Sequence, residues 1–343
     1  MFFSCPPNAT GVPINGTGPH TVLHCPNETY KSQVREAIQS GVLTWNAFPF
    51  NSELGAYDPS LLQFGITHTH ALDDMFSVKR KAVLPSRDVP GISRALIPIL
   101  ARSGISAINQ SPNGAMYPTN VPPAFIWADR DTDNTIVNQN HSVAGVAPPS
   151  GQQMLVMWWQ QACDTFCLQQ FPGSDVAVLF DWRGEDSGPN VGSAADVLAL
   201  YAQARAAFPN ATVRGAGMDE VAESLLRPEV FAKLPVLDRE VGDTWSYGIQ
   251  SDPRKVANVR AAMRHRTAFE ANQTINYPRP VDATNASVDG DTPSRSLVAM
   301  ANPFSWWSNF SRCLLKGFEH TWGLRYDMCY GGGFEDDPDN PNT

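Results

Sequence analysis

The chain has 343 residues, of which 42% are hydrophobic and 17% charged, ordinary globular composition with enough apolar material for a large core. A formal charge of −9 without a Lys/Arg cluster argues against a nucleic-acid partner. No apolar run approaches the roughly 18 residues that a membrane span needs, so no membrane span is expected.

In chain order, residues 1–28 are rich in Pro, Gly, Asn and Thr and predict an irregular lead-in. "NETYKSQVREAIQSG" predicts a capped helix ending at Gly41. "VLTWNAFPF", β-branched and aromatic, predicts a strand. "DPSLLQFGITHTHALDDMF" has helical spacing, "KAVLPS" reads as strand, and "ISRALIPILARSG" as a helix ending at Gly104. "ISAINQ", "PPAFIWAD" and "QMLVMWW" follow as strands, and "DVAVLFDW" as a buried one. "SAADVLALYAQARAAFP" predicts an amphipathic helix with Ala195, Val197, Leu198, Leu200 and Tyr201 near its apolar face. "ATVRGAG" reads as strand, "MDEVAESLL" as helix, "LPVLDREVG" as strand and "PRKVANVRAAMRHRTAFEANQ" as helix. Residues 29–330 form one β/α domain in this reading, followed by an acidic disordered tail over 331–343.

Strands alternating with helices imply a parallel sheet covered by helices, open or closed into a barrel. Functional side chains in such folds collect where strands end. The polar residues at these ends are Asn51 and Glu53, Arg87 and Asp88, Glu185 and Asp186, and Asp243 beside Trp245. Two carboxylates on separate strand ends are what glycoside hydrolysis needs, one as nucleophile or base and one as acid. Each also has a plainer role. Asp88 can cap the following helix, worth about 1 kcal/mol, and "EDSGP" can be a solvated turn. His68 and His70, at i and i+2 on a helix, are expected at the surface rather than on a metal. Neither G-x-S-x-G nor a phosphate loop occurs.

Nine Asn-X-Ser/Thr sequons begin at Asn8, Asn15, Asn27, Asn109, Asn140, Asn210, Asn272, Asn285 and Asn309. With an even set of six cysteines they point to a secreted or secretory-lumen protein, although "MFFSCPPNAT" is not a signal peptide. Cys5–Cys25 and Cys313–Cys329 close short loops and are the expected bridges. Cys163 and Cys167, four apart, fit one helix face instead.

The order of "WNAFPFNSE", "SRDVPGISRALIPILARSGISAI", "VPPAFIWAD", "RGEDSGP", "REVGDTWSYGIQSDPRK" and "EHTWG" resembles a group of uncharacterised glycosidase-like proteins. That group is similar to the N-terminal catalytic domain of glycoside hydrolase family 38, the zinc-dependent α-mannosidases. The resemblance covers about residues 25–330. It implies a seven-stranded parallel β/α barrel with zinc at the carboxyl ends of the strands. Asp88 would be both zinc ligand and nucleophile, His320 a later zinc ligand, and Glu185 or Asp186 the general acid/base. Trp45, Glu53, Arg87, Asp243 and Trp245 would line the substrate site, with Trp127, Trp182 and Trp322 on an aromatic rim.

Ile92 stands where the family has His. The His-x-Asp pair that supplies two further zinc ligands does not precede "WNAFPF", so the chain is expected to lack the first strand. It is also expected to stop before the β-rich domains of its relatives and to be weakly active or inactive alone. The partner implied is a carbohydrate. A non-catalytic carbohydrate-binding barrel and a polysaccharide-deacetylase-like metal hydrolase are the alternatives.

Overall fold

The computed structural model describes residues 11–13, 22–87, 92–111, 120–129, 153–159, 167–180, 193–241, 253–272 and 306–318. The chain divides into a smaller unit, residues 1–45 with 70–80, and a larger one, residues 46–69 with 81–343.

In the smaller unit, β1 (Gly11–Pro13) pairs antiparallel with β2 (Val22–His24). Helix α1 (Glu28–Gln39) begins where the Asn27 side chain accepts a hydrogen bond from the Tyr30 backbone N–H, 2.8 Å. It ends, as the spacing predicts, just before Gly41, whose φ of +77° only glycine adopts without strain. Helix α2 (Pro59–Phe76) starts in the larger unit and contributes residues 70–76 to the smaller one.

In the larger unit, five strands form one sheet in the order β3-β4-β6-β5-β9: β3 (Val83–Arg87), β4 (Ala107–Ser111), β6 (Gln153–Trp158), β5 (Ala124–Ala128) and β9 (Val236–Leu237). Strands β3, β4 and β6 are parallel. β5 is antiparallel to β6, and β9 runs parallel to β5. The fold is therefore mixed α/β with a mostly parallel central sheet, and no closed barrel is formed among the described residues. The reversal at β5 has a topological reason. Parallel neighbours need a crossover of a dozen or more residues, usually a helix, and no helical pattern lies between "PPAFIWAD" and "QMLVMWW".

Strand geometry sends alternate side chains to opposite faces, and both faces are covered. On one face Leu84, Ile108, Phe125, Trp127, Val156 and Trp158 join the core made by α2, α3 (Ile97–Arg102), α7 (Pro253–Asn272) and α8 (Trp306–Leu315). On the other, Val83, Ala107, Ile126, Leu155 and Met157 pack against α5 (Met218–Leu225) and α6 (Pro228–Phe231). This burial explains why the strands read as continuous apolar runs.

Several expectations are corrected. Residues 42–50 form bends rather than a strand; Val42 is 83% exposed, and Pro49 has no N–H for a ladder. "DVAVLFDW" gives β8 (Ala177–Phe180), which leaves the central sheet to form a largely exposed hairpin with β7 (Cys167–Gln170). Cys167 is thus on a strand, not on a helix face. "ATVRGAG" is coil, its two glycines being poor strand formers. Helix α4 (Ala194–Ala207) forms, but Leu198 is 68% exposed and Ala204 alone is buried. Its seven alanines favour a helix while spreading apolar positions around the whole circumference, so no single stripe faces a core. Cys25 is disulfide-bonded, whereas Cys313 is a free, exposed thiol, so the Cys313–Cys329 bridge is not formed.

The helices on the first face meet at a buried cation. Arg266 on α7 is 1% exposed. Its Nη2 lies 2.8 Å from Glu270 Oε1, its Nε donates to Ser311 Oγ of α8 at 2.8 Å, and its Nη1 donates to Ser60 Oγ of α2. Its guanidinium also lies 4.7 Å from the Trp307 ring centroid and 5.3 Å from that of Phe64. Removing one partner of such a pair leaves an uncompensated charge, which costs about 3–5 kcal/mol. Glu270→Ala is therefore expected to lower stability by about that much in denaturant titration. The double variant Arg266→Met/Glu270→Leu should recover most of the loss, because no charge is then stranded.

His68 and His70 are not surface residues. His70 is buried, with its Nδ1 3.5 Å from Arg80 Nη1. His68 is half-buried and stacks on Phe64 at a centroid separation of 5.9 Å. Burial, and secondarily the Arg312 guanidinium, hold the His68 imidazole below its ordinary 6.5. The unfolded chain then binds a proton more readily than the folded one. The contribution is complete above 6.5 and is lost as pH falls from there towards the lowered folded value. Thermal unfolding should show a Tm that falls over this interval, and His68→Gln should fall less steeply.

Candidate functional site

The stretch after β3 is tied to the stretch after β9. Ser93 opens a 3-10 turn (Arg94–Leu96) by accepting from the Ala95 N–H at 3.3 Å. The Arg94 backbone N–H donates to both carboxylate oxygens of Glu240, at 3.1 and 3.0 Å, and the Ser93 hydroxyl donates to Glu240 Oε1 at 3.3 Å. The Arg94 side chain reaches further. Its Nη1 donates to the Asp238 carbonyl, and its Nε stands 4.0 Å from Oδ1 of Asp129, a buried acid directly after β5. The Trp127 indole N–H completes the knot by donating to the Arg239 carbonyl at 2.8 Å. The Arg94 backbone and Ser93 hydroxyl on Glu240, with the Arg94 guanidinium on the Asp238 carbonyl and near Asp129, thus join the stems of three chain segments.

Beneath this knot is a cavity of about 10 Å³, the least that admits one water. Ile92 and Val241 line it from the two loop stems; Ile108, Gln110, Phe125, Trp127, Val156 and Trp158 line it from β4, β5 and β6. Among the described residues, Gln110 is the polar side chain in an otherwise apolar and aromatic lining.

Asp88, Glu185, Asp186, Asp243, Trp245 and His320 lie outside the described residues, as do Trp182 and Trp322. Arg87 is the last residue of β3. Glu53 is 6% exposed, and its backbone N–H donates to the Phe318 carbonyl at 3.0 Å, two residues before His320. Asn51 is half-buried. In the smaller unit, the Trp45 indole N–H donates to the buried Asp73 carboxylate at 2.9 Å, and its ring packs on Phe76. Trp127 is 2% exposed and belongs to the core, so it is not a rim aromatic.

Ile92 follows Asp88 by four residues, Val241 precedes Asp243 by two, and all three of Ile92, Val241 and Phe318 belong to one apolar cluster. β9 runs antiparallel to β3, so the carboxyl ends of these two strands do not lie at the same end of the sheet. The Arg94–Glu240 contact brings these stems together instead. Arg94, Asp129 and Glu240 stand inside the stretches "GISR", "WAD" and "LDREVG". Only the Arg94–Asp129 part of this arrangement has a charge signal in the sequence; the Glu240 contact is made by a backbone N–H and leaves none.

Among the described residues, no group of three or more His, Cys, Asp or Glu is placed to hold a metal ion. They therefore supply no zinc site, and the two ligands that the resemblance implies, Asp88 and His320, lie elsewhere in the chain. No described helix is long and apolar enough to cross a membrane.

The sequence matches no protein-family model. No curated protein shows significant similarity to it.

Hydrogen bonds to charged groups contribute about 1.5–3 kcal/mol each. Arg94→Ala is expected to lower the unfolding free energy by an amount in that range, read as a lower urea midpoint with the slope unchanged. Arg94→Lys should restore less than half, since an ammonium cannot reach Asp238 and Asp129 as a planar fork does.

Proposed function

We propose that the chain is a carbohydrate-active α/β protein of the glycoside-hydrolase type, acting on α-linked sugars in the secretory pathway. In this reading the mostly parallel central sheet would be part of a seven-stranded β/α barrel. The observation that carries the proposal is the Arg94–Glu240 contact. It supports one site because it ties together the stems of the segments holding Asp88 and Asp243. The Glu53–Phe318 hydrogen bond supports the same reading for the stem that leads to His320.

Asp88 would attack the anomeric carbon, or stabilise positive charge developing there, while Glu185 or Asp186 protonates the leaving oxygen. The acid must keep its proton near neutral pH, which requires a raised pKa from burial or a neighbouring carboxylate. Stems held in this way would keep the reacting groups in one frame, and positioning of that kind lowers a barrier without any new bond to substrate. Asp88 and His320 would hold a zinc ion in this reading, and the metal would supply a fixed positive charge that orients the nucleophile and the sugar hydroxyls.

The test is turnover of aryl α-mannosides and a panel of α-linked oligosaccharides by the full chain, with and without added zinc. Weak turnover is expected, and Asp88→Ala should reduce it by about 10³-fold or more. Unchanged turnover in Asp88→Ala would sink the assignment. Chelator-insensitive glycan binding without turnover would make the chain a binding protein. Acetate release from an acetylated polysaccharide would make it a deacetylase.

A further inference from the structure

The sequons are not equivalent once folded. Asn109 lies on β4, flanked by β3 and β6, and is half-buried; its Oδ1 accepts the Trp159 indole N–H. Any glycan there would have to pass through the covered sheet. Asn309 is exposed on α8, but the hydroxyl of its sequon, on Ser311, is 0% exposed and accepts from buried Arg266. Its own Oδ1 accepts from Arg312. At Asn27 the carboxamide caps α1.

Asn210 differs from all three. It sits in the turn that closes α4, where the Ala211 N–H donates to the Phe208 carbonyl at 3.0 Å. Asn210, Ala211 and Thr212 are all exposed, and coil runs from there to α5. A transferase needs the whole Asn-X-Thr segment free of ladder and helix bonds, because it binds carboxamide and hydroxyl together. An exposed turn of small and polar residues gives that freedom at little cost.

We infer that Asn210 is an acceptor for an N-linked glycan, and that Asn109 and Asn309 are not acceptors in the folded protein. The inference rests on the secretory part of the proposed function and not on its catalytic part. The donor is a lipid-pyrophosphate-linked oligosaccharide. The bond from Asn210 Nδ2 to the sugar C1 forms as the C1–oxygen bond to pyrophosphate breaks, and Nδ2 gives its proton to a base of the transferase. Nothing is oxidised or reduced.

The experiment directs the full chain into the secretory pathway of a eukaryotic cell with an appended leader. Glycans are removed with peptide-N-glycosidase in ¹⁸O water, and each sequon peptide is read by mass spectrometry for conversion of Asn to ¹⁸O-labelled Asp. Both the secreted and the membrane-enclosed cellular fractions are read, so retention inside the cell still returns an answer. Label is expected at Asn210 and absent at Asn109 and Asn309. Asn210→Gln should run smaller by one glycan and keep the Tm of the deglycosylated parent. An unlabelled Asn210, or label at Asn109 or Asn309 in secreted protein, overturns the inference. Because the leader is supplied, this outcome is independent of sugar hydrolysis, which the Asp88 variant tests separately.

Discussion

A sheet that carries apolar side chains on both faces has to be covered on both, and that requirement organises the larger unit. Val83 points one way and Leu84 the other, both 0% exposed, and the same alternation runs through β4, β5 and β6. At about 25 cal/mol per Å² of apolar surface removed from water, leaving either face open would cost more than the whole stability of an ordinary domain. The covering layers differ in kind. Short helices α5 and α6 suffice on one side, whereas four helices and several loop stems assemble on the other.

Apolar burial is non-directional, so it brings those elements to the sheet without deciding how they are set against one another. Two arginines supply direction. Arg266 is fully enclosed and must be satisfied by Glu270, Ser60 and Ser311, which fixes α2, α7 and α8 in one arrangement. Arg94 is closer to solvent and holds loop stems rather than helices. Gly65 adds a steric condition of its own, since a Cβ there would stand 2.3 Å from the Phe48 ring. The missing side chain is what lets the segment "NAFPF" lie directly on α2.

Elements whose signal is local were legible. Asn27 and Gly41 bracket α1 because capping and positive φ are properties of a few neighbouring residues. The apolar runs "KAVLPS" and "QMLVMWW" became β3 and β6 because burial on both faces leaves no other pattern. Helix α8 has a weaker local signal: Ser308 and Ser311 occupy buried positions of its face and interrupt the apolar stripe, and the role of Ser311 appears only beside Arg266. The exposed α4 is the opposite case, as alanine favours a helix whether or not a core awaits it.

For the candidate site, the sequence by itself determined which acids stand after apolar runs and which motifs occur in what order. It also determined where helices α1, α2, α3, α5 and α7 form, because a cap, a period or a run of apolar residues acts over a few positions. Strand direction and pairing were decided only by the tertiary structure, as were the burial of Trp127, the enclosure of Arg266 and the meeting of Arg94 with Glu240. These depend on residues far apart in the chain, from 25 positions for Ala128 and Gln153 to 206 for Ser60 and Arg266. Their free energy comes from desolvation and geometry that no local stretch contains, so a motif can mark a residue without showing which distant partners hold its segment.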